Sequence, residues 1–212
     1  MKFYTRLRAS RVSRLSAMAA VGAFGLGATD VTAATASSSS ENRRPSASTA
    51  AGAPAELAQL QYFQGAWKSN GSRQGKPVIM TICALPKNDG FWLVLDLAEK
   101  RTSANPNPMS GQYYWGYDQS SGKFTAEWFD NSGGRISQTS PGWSGDELVF
   151  TGTATSGAVT VPFRDIFVRK TTTEYYHRGE IDFGQGWAAA DEETVTQTSN
   201  SGQDCPSAAA GS

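Results

Sequence analysis

The chain contains one histidine, His177, inside a segment that reads as a strand. Over residues 174–183, Glu174, Tyr176, Arg178, Glu180 and Asp182 alternate with Tyr175, His177, Gly179, Ile181 and Phe183. Successive side chains of a strand point to opposite faces. Four of the five residues in the first set are charged, so that face belongs in water. Tyr175 and His177 are therefore expected to point inward, unless a bulge at Gly179 shifts the register. The bland expectation for such a histidine is a neutral imidazole hydrogen-bonded to a tyrosine or a backbone group. The other is a polar contact to a ligand. A single histidine excludes sites built from several imidazoles, including most catalytic zinc sites.

An acid–base role needs a carboxylate inside the fold. Asp96 is the best candidate, because Leu95 and Leu97 flank it in a strongly apolar segment. It shares a strand face with Trp92 and Val94. The alternative is an outward polar residue on a half-exposed strand. Asp191, Glu192 and Glu193 are consecutive and cannot all point one way on a strand. They read as a solvated strand start after Trp187. Asp165 beside Arg164 reads as a surface or barrel-end pair. Gly142-Trp143-Ser144-Gly145 lacks the spacing of a nucleophile elbow. No glycine-rich phosphate loop joins a strand to a helix, so no cofactor is expected.

The aromatic residues point to a core or a cavity. Over residues 123–130, Phe124, Ala126 and Trp128 alternate with Lys123, Thr125 and Glu127, which places Trp128 inside. Trp67 is expected to plug the base of the fold. These rings either fill the core or line an apolar cavity. Two cysteines, Cys83 and Cys205, are too few for a Cys-rich zinc module or a disulfide-dense scaffold. Val78, Met80 and Ile82 share one strand face; if that face is the core, Cys83 points outward, where a C-terminal tail could bring Cys205 to it. In an oxidising compartment the two would then pair.

Of 212 residues, 19 are basic and 19 acidic, which argues against a nucleic-acid binder driven by phosphate neutralisation. Lys2, Arg6, Arg8, Arg11 and Arg14 precede a short apolar, small-residue stretch at 15–28 and an Ala33 site. That pattern describes a cleaved secretory signal peptide over 1–33, and the stretch is short of the roughly 20 residues that span a bilayer. Its removal leaves a net charge of −4. The expected location is secreted or periplasmic. Residues 34–54 are mostly Ser, Ala, Thr, Gly and Pro without a large apolar group, and read as a disordered linker. Residues 200–212 read as a flexible tail.

The elements that must position these side chains lie over 55–199. Leu57, Leu60 and Phe63 mark one short helix after Pro54. Apolar and aromatic runs then alternate with Gly-, Asn- and Ser-rich turns every eight to twelve residues. The expectation is all-β: about ten antiparallel strands in an up-and-down barrel, whose closure removes exposed edges. A sandwich is the competing solution. Strand–helix alternation is missing, which argues against parallel α/β folds.

Three segments carry a family resemblance. Residues 57–67 (LAQLQYFQGAW) give a helix followed by Gly-x-Trp. Gly116-Tyr117-Asp118, Gly122-Lys123 and Trp128-Phe129-Asp130 give a hairpin of the form GYD, GK, WFD. Residues 143–150 (WSGDELVF) give a turn and strand. This order resembles a family of small bacterial proteins of unknown function, the DUF1579 type. The resemblance implies a calycin-like barrel, related in shape to lipocalins, fatty-acid-binding proteins and haem-binding nitrobindins. It implies little about activity, because one fold hosts many functions. Through the nitrobindin likeness it adds a reading of His177 as a lone axial ligand to haem iron.

The leading expectation is an exported barrel that holds a small lipophilic or aromatic molecule without catalysis. Trp92, Asp96, Trp128, Tyr175 and His177 are its candidate cavity residues. The competing expectation is a small-barrel isomerase or cyclase. No metal, nucleic acid or membrane span is expected in the mature chain.

Overall fold

The computed structural model describes residues 52–200 and Cys205. The expected signal peptide, residues 34–51 of the expected linker, and all of the expected tail except Asn200 and Cys205 lie outside the described residues.

Leu57, Leu60 and Phe63 recur at every third position, and Ala55–Phe63 winds as a 3-10 helix. Three residues per turn bring those positions to one side. Eleven strands follow: β1 Gly65–Arg73, β2 Lys76–Lys87, β3 Trp92–Glu99, β4 Ser110–Asp118, β5 Lys123–Asp130, β6 Arg135–Ser140, β7 Trp143–Ser144, β8 Glu147–Ser156, β9 Val159–Thr171, β10 Glu174–Asp182 and β11 Trp187–Ser199. The pairings are antiparallel between neighbours, β1 also pairs with β11, and β6 pairs with β8 past the two-residue β7. Ten strands thus form a closed ring, and β7 is a short spur on β8. The all-β expectation holds, and the barrel, not the sandwich, is the architecture.

The helix closes one end. Leu60, Phe63 and Trp67 are almost fully buried, and the Trp67 indole donates to the Phe63 carbonyl at 2.8 Å. The Trp143 indole donates to the Gln59 carbonyl at 3.0 Å. Phe63 packs edge-on to Trp115 at 4.9 Å and stacks on Trp143 at 5.7 Å. The Arg169 guanidinium lies 3.6 Å from the centre of the Trp143 ring and so seals the rim beside the helix. The other end carries the β1–β2, β5–β6, β8–β9 and β10–β11 turns and the 100–109 loop. Among the described residues, no helix is long and apolar enough to cross a membrane.

On the outer face, Cys83 and Cys205 form a disulfide with a Cα–Cα distance of 5.3 Å. Cys83 pairs across the sheet with Asp96, while its neighbour Ile82 packs in the core.

Candidate functional site

Strand alternation sorts the expected site residues into two groups. Trp128, Tyr175 and His177 point into the barrel. Trp92 and Asp96 do not. In β3 the inward residues are Leu93, Leu95, Leu97 and Glu99, so Trp92 and Asp96 occupy the outer face. Asp96 there accepts a hydrogen bond from Gln112 Nε2 at 2.6 Å. Trp92 covers Gly116, where a Cβ atom would come within 2.6 Å of its ring. Of the two expectations for Asp96, the outward polar residue is the one observed; the β3 sequence is largely apolar on both faces, so the pattern alone does not choose between them.

His177 keeps its inward direction because the register shifts of β10, between Glu174 and Tyr175 against β9 and between Gly179 and Glu180 against β11, leave Tyr175 to Gly179 in unbroken register. Its ring stacks on Phe167 at 4.6 Å. Its partners differ from the expected tyrosine or backbone group. Nε2 lies 2.8 Å from Asp165 Oδ1, and Nδ1 lies 3.2 Å from Glu193 Oε1 and 3.8 Å from Asp191 Oδ1. Burial opposes a charge on the ring. The hydrogen bonds to Asp165 and Glu193 and the surrounding negative charge outweigh it and raise the His177 pKa well above the usual histidine value. A carboxylate oxygen faces each ring nitrogen, an arrangement that suits an imidazolium donating from both rather than a neutral imidazole. Both nitrogens are engaged by carboxylates, so neither is available to haem iron.

Asp165, Asp191 and Glu193 are also corrections. Asp165 is a buried interior acid, not a surface partner of Arg164. Its Oδ2 lies 2.5 Å from the Tyr113 hydroxyl, which also lies 2.5 Å from Gln138 Oε1. Burial and then the charge of Asp165 push the Tyr113 pKa well above its usual value, so the hydroxyl keeps its proton. Asp191 and Glu193 project inward, and only Glu192 between them faces out, where it accepts from Tyr176 Oη at 3.0 Å. Glu193 Oε2 accepts from Ser69 Oγ at 2.7 Å. Asp191 Oδ1 accepts from the Gly179 N–H at 3.0 Å. Burial, opposed by His177 and reinforced by Asp165 and Glu193, pushes the Asp191 pKa up from 3.8 to about 6.

These groups form the floor of a cavity of about 260 Å³ that opens at the turn end. Its walls include Val78, Met80, Leu97, Trp128, Ile136 and Phe163. At the mouth, Arg73 forks onto Glu99 at 2.8 and 2.9 Å. Glu99 also accepts from Asn105 Nδ2 and the Met109 N–H, which ties the 100–109 loop to the barrel. A smaller recess of about 30 Å³ shares Leu97, Tyr113, His177 and Glu193 with the cavity and reaches Trp115 and Tyr175. Among the described residues, no group of three or more His, Cys, Asp or Glu side chains is arranged to hold a metal ion.

Chemically, the floor can hold a charged or polar group, or pass a proton through Asp191, while the walls hold hydrocarbon. No known family model matches this chain, and no curated protein matches it.

Proposed function

We propose that this protein is an exported binding barrel that takes a small lipophilic or aromatic molecule into its cavity without catalysis. The observation that carries the reading is the combination of a mouth open to solvent, apolar walls and a few convergent polar groups at the floor. This is the general build of small-molecule sites. Export is supported by the basic and apolar pattern of residues 1–33 and by the Cys83–Cys205 disulfide, which suits an oxidising compartment. The test is a titration of intrinsic tryptophan fluorescence against a panel of lipophilic and aromatic compounds, since Trp128 lines the cavity. Saturable changes that a Trp128→Phe variant diminishes are expected. A panel without any response sinks the reading.

A second reading is acid–base catalysis of the isomerase or cyclase type. Asp191 favours it, because a carboxylate titrating at about 6 is suited to exchange protons near neutral pH. In that reading Asp191 replaces Asp96 as the working carboxylate. It requires a bound compound to be converted to product at a rate that Asp191→Asn abolishes.

A further inference from the structure

We infer that the ligand is an amphipathic organic amine whose ammonium group sits at Asp191 and whose hydrocarbon or aromatic body lies along the cavity walls. This rests on the binding reading above and adds the charge and orientation of the ligand.

The first argument is charge. At the floor, Asp165, Asp191 and Glu193 surround a single cationic partner, His177. The other charged side chains of the cavity do not change this excess. Arg73 is committed to Glu99 by the fork described above, and the mouth adds one further acid and one further base, Asp130 and Arg135. Tyr113 is neutral. The floor is therefore net negative and repels a carboxylate or phosphate. An ammonium is attracted, and it gains strength from the low dielectric of the barrel.

The second argument is which acid is free to accept it. Asp165 holds His177 and Tyr113, and Glu193 holds His177 and Ser69. Asp191 accepts the Gly179 N–H on Oδ1 and stands 3.8 Å from the imidazolium. Some 29% of its side chain is accessible, against 4% for Asp165 and 8% for Glu193. Asp191 is thus the carboxylate that faces the cavity.

The third argument is orientation, and it comes from a different residue. Trp115 is fully buried and lines the recess beside His177 and Glu193. Its indole N–H has no acceptor among the described residues. A buried donor calls for an acceptor. An oxygen next to the amine, or a water carried in with it, meets that need in the recess. The polar head of the ligand therefore belongs at the floor and the apolar part toward the mouth. The aromatic rings of Trp128 and Phe163 on the walls add attraction for an aromatic body.

The experiment is calorimetric titration of the full chain, disulfide intact, with three matched probes: 2-phenylethylamine, 2-phenylethanol and 3-phenylpropionate. The amine is expected to bind at least about tenfold more tightly than the alcohol, and the acid more weakly than either. Asp191→Asn is expected to reduce the amine to the affinity of the alcohol. Asp191→Glu, which keeps the charge, retains a preference for the amine. The preference shrinks below about pH 6, where Asp191 takes up a proton. Equal binding of amine and alcohol, or a preference that survives Asp191→Asn, overturns the amine inference and leaves the binding reading standing. Tightest binding of the acid overturns it too. If none of the three binds, both readings fail.

Discussion

Asp191 Oδ1 lies 3.8 Å from His177 Nδ1, just outside hydrogen-bond distance, while Asp165 and Glu193 hold the same ring at 2.8 and 3.2 Å. Both groups are pushed toward their protonated forms, for different reasons. Asp165 and Glu193 keep the imidazole charged, whereas desolvation and the two neighbouring acids raise Asp191 by more than the imidazolium 3.8 Å away lowers it. Its folded pKa of about 6 exceeds the ordinary 3.8. The folded state therefore binds more protons than the unfolded state between these values, and this group's contribution to stability falls as pH rises through them. Urea unfolding should show the wild type losing about 2 kcal/mol relative to Asp191→Asn between about pH 4 and pH 7. A pH-independent difference contradicts the raised pKa.

For His177 the shift is also upward, so the same linkage holds over a higher pH range. Its stabilising contribution is complete below the unfolded value of 6.5 and is lost only as pH rises through the raised folded value. NMR shifts of the His177 ring should report imidazolium at pH 7.5, and a neutral ring there would refute the assignment. His177→Gln removes the cation that Asp165 and Glu193 share and should cost about 3–5 kcal/mol, the typical penalty for stranding one side of a buried ion pair.

The strand order and most strand limits were legible because the turns are written in Gly, Asn and Ser and the strands alternate cleanly. The inward direction of His177 was legible because the opposite face of β10 is charged. The acids at the floor were not, since buried carboxylates break the rule that polar residues face water. A finer signal was present in β9, where Phe163, Asp165 and Phe167 alternate, placing the acid between two core aromatics. Likewise Asp191 and Glu193 share the parity of the fully buried Val195. For Asp96 the pattern leaves both directions open for the converse reason: flanking leucines establish that a strand is buried, but not which face of it a residue takes.

Gly179 is required by Asp191. A Cβ atom there would lie 2.5 Å from Asp191 Oδ1 and 3.0 Å from Phe163 Cζ. Gly179→Ala should therefore displace the carboxylate and cost about 1–3 kcal/mol. Paired with Asp191→Ala it should cost less than the two changes added, a positive coupling in a double-mutant cycle. Strict additivity would mean that the carboxylate is not what the new methyl meets.

The Cys83–Cys205 bond ties the chain after β11 to the outer face of β2, across a sequence separation of 122 residues. A cross-link of that span removes much freedom from the unfolded chain, about 4–5 kcal/mol in the loop-entropy model. Cys83 is buried on the outer face, whereas the cavity lies on the other side of the sheet. The bond should therefore act on stability and not on ligand affinity. Replacing both cysteines with serine is expected to lower the unfolding free energy by about 2–5 kcal/mol. Ligand affinity measured well below the unfolding temperature should stay within about twofold of the wild type, a difference of about 0.4 kcal/mol. A large loss of affinity in a variant that is still folded by circular dichroism would place the tail in the binding path instead.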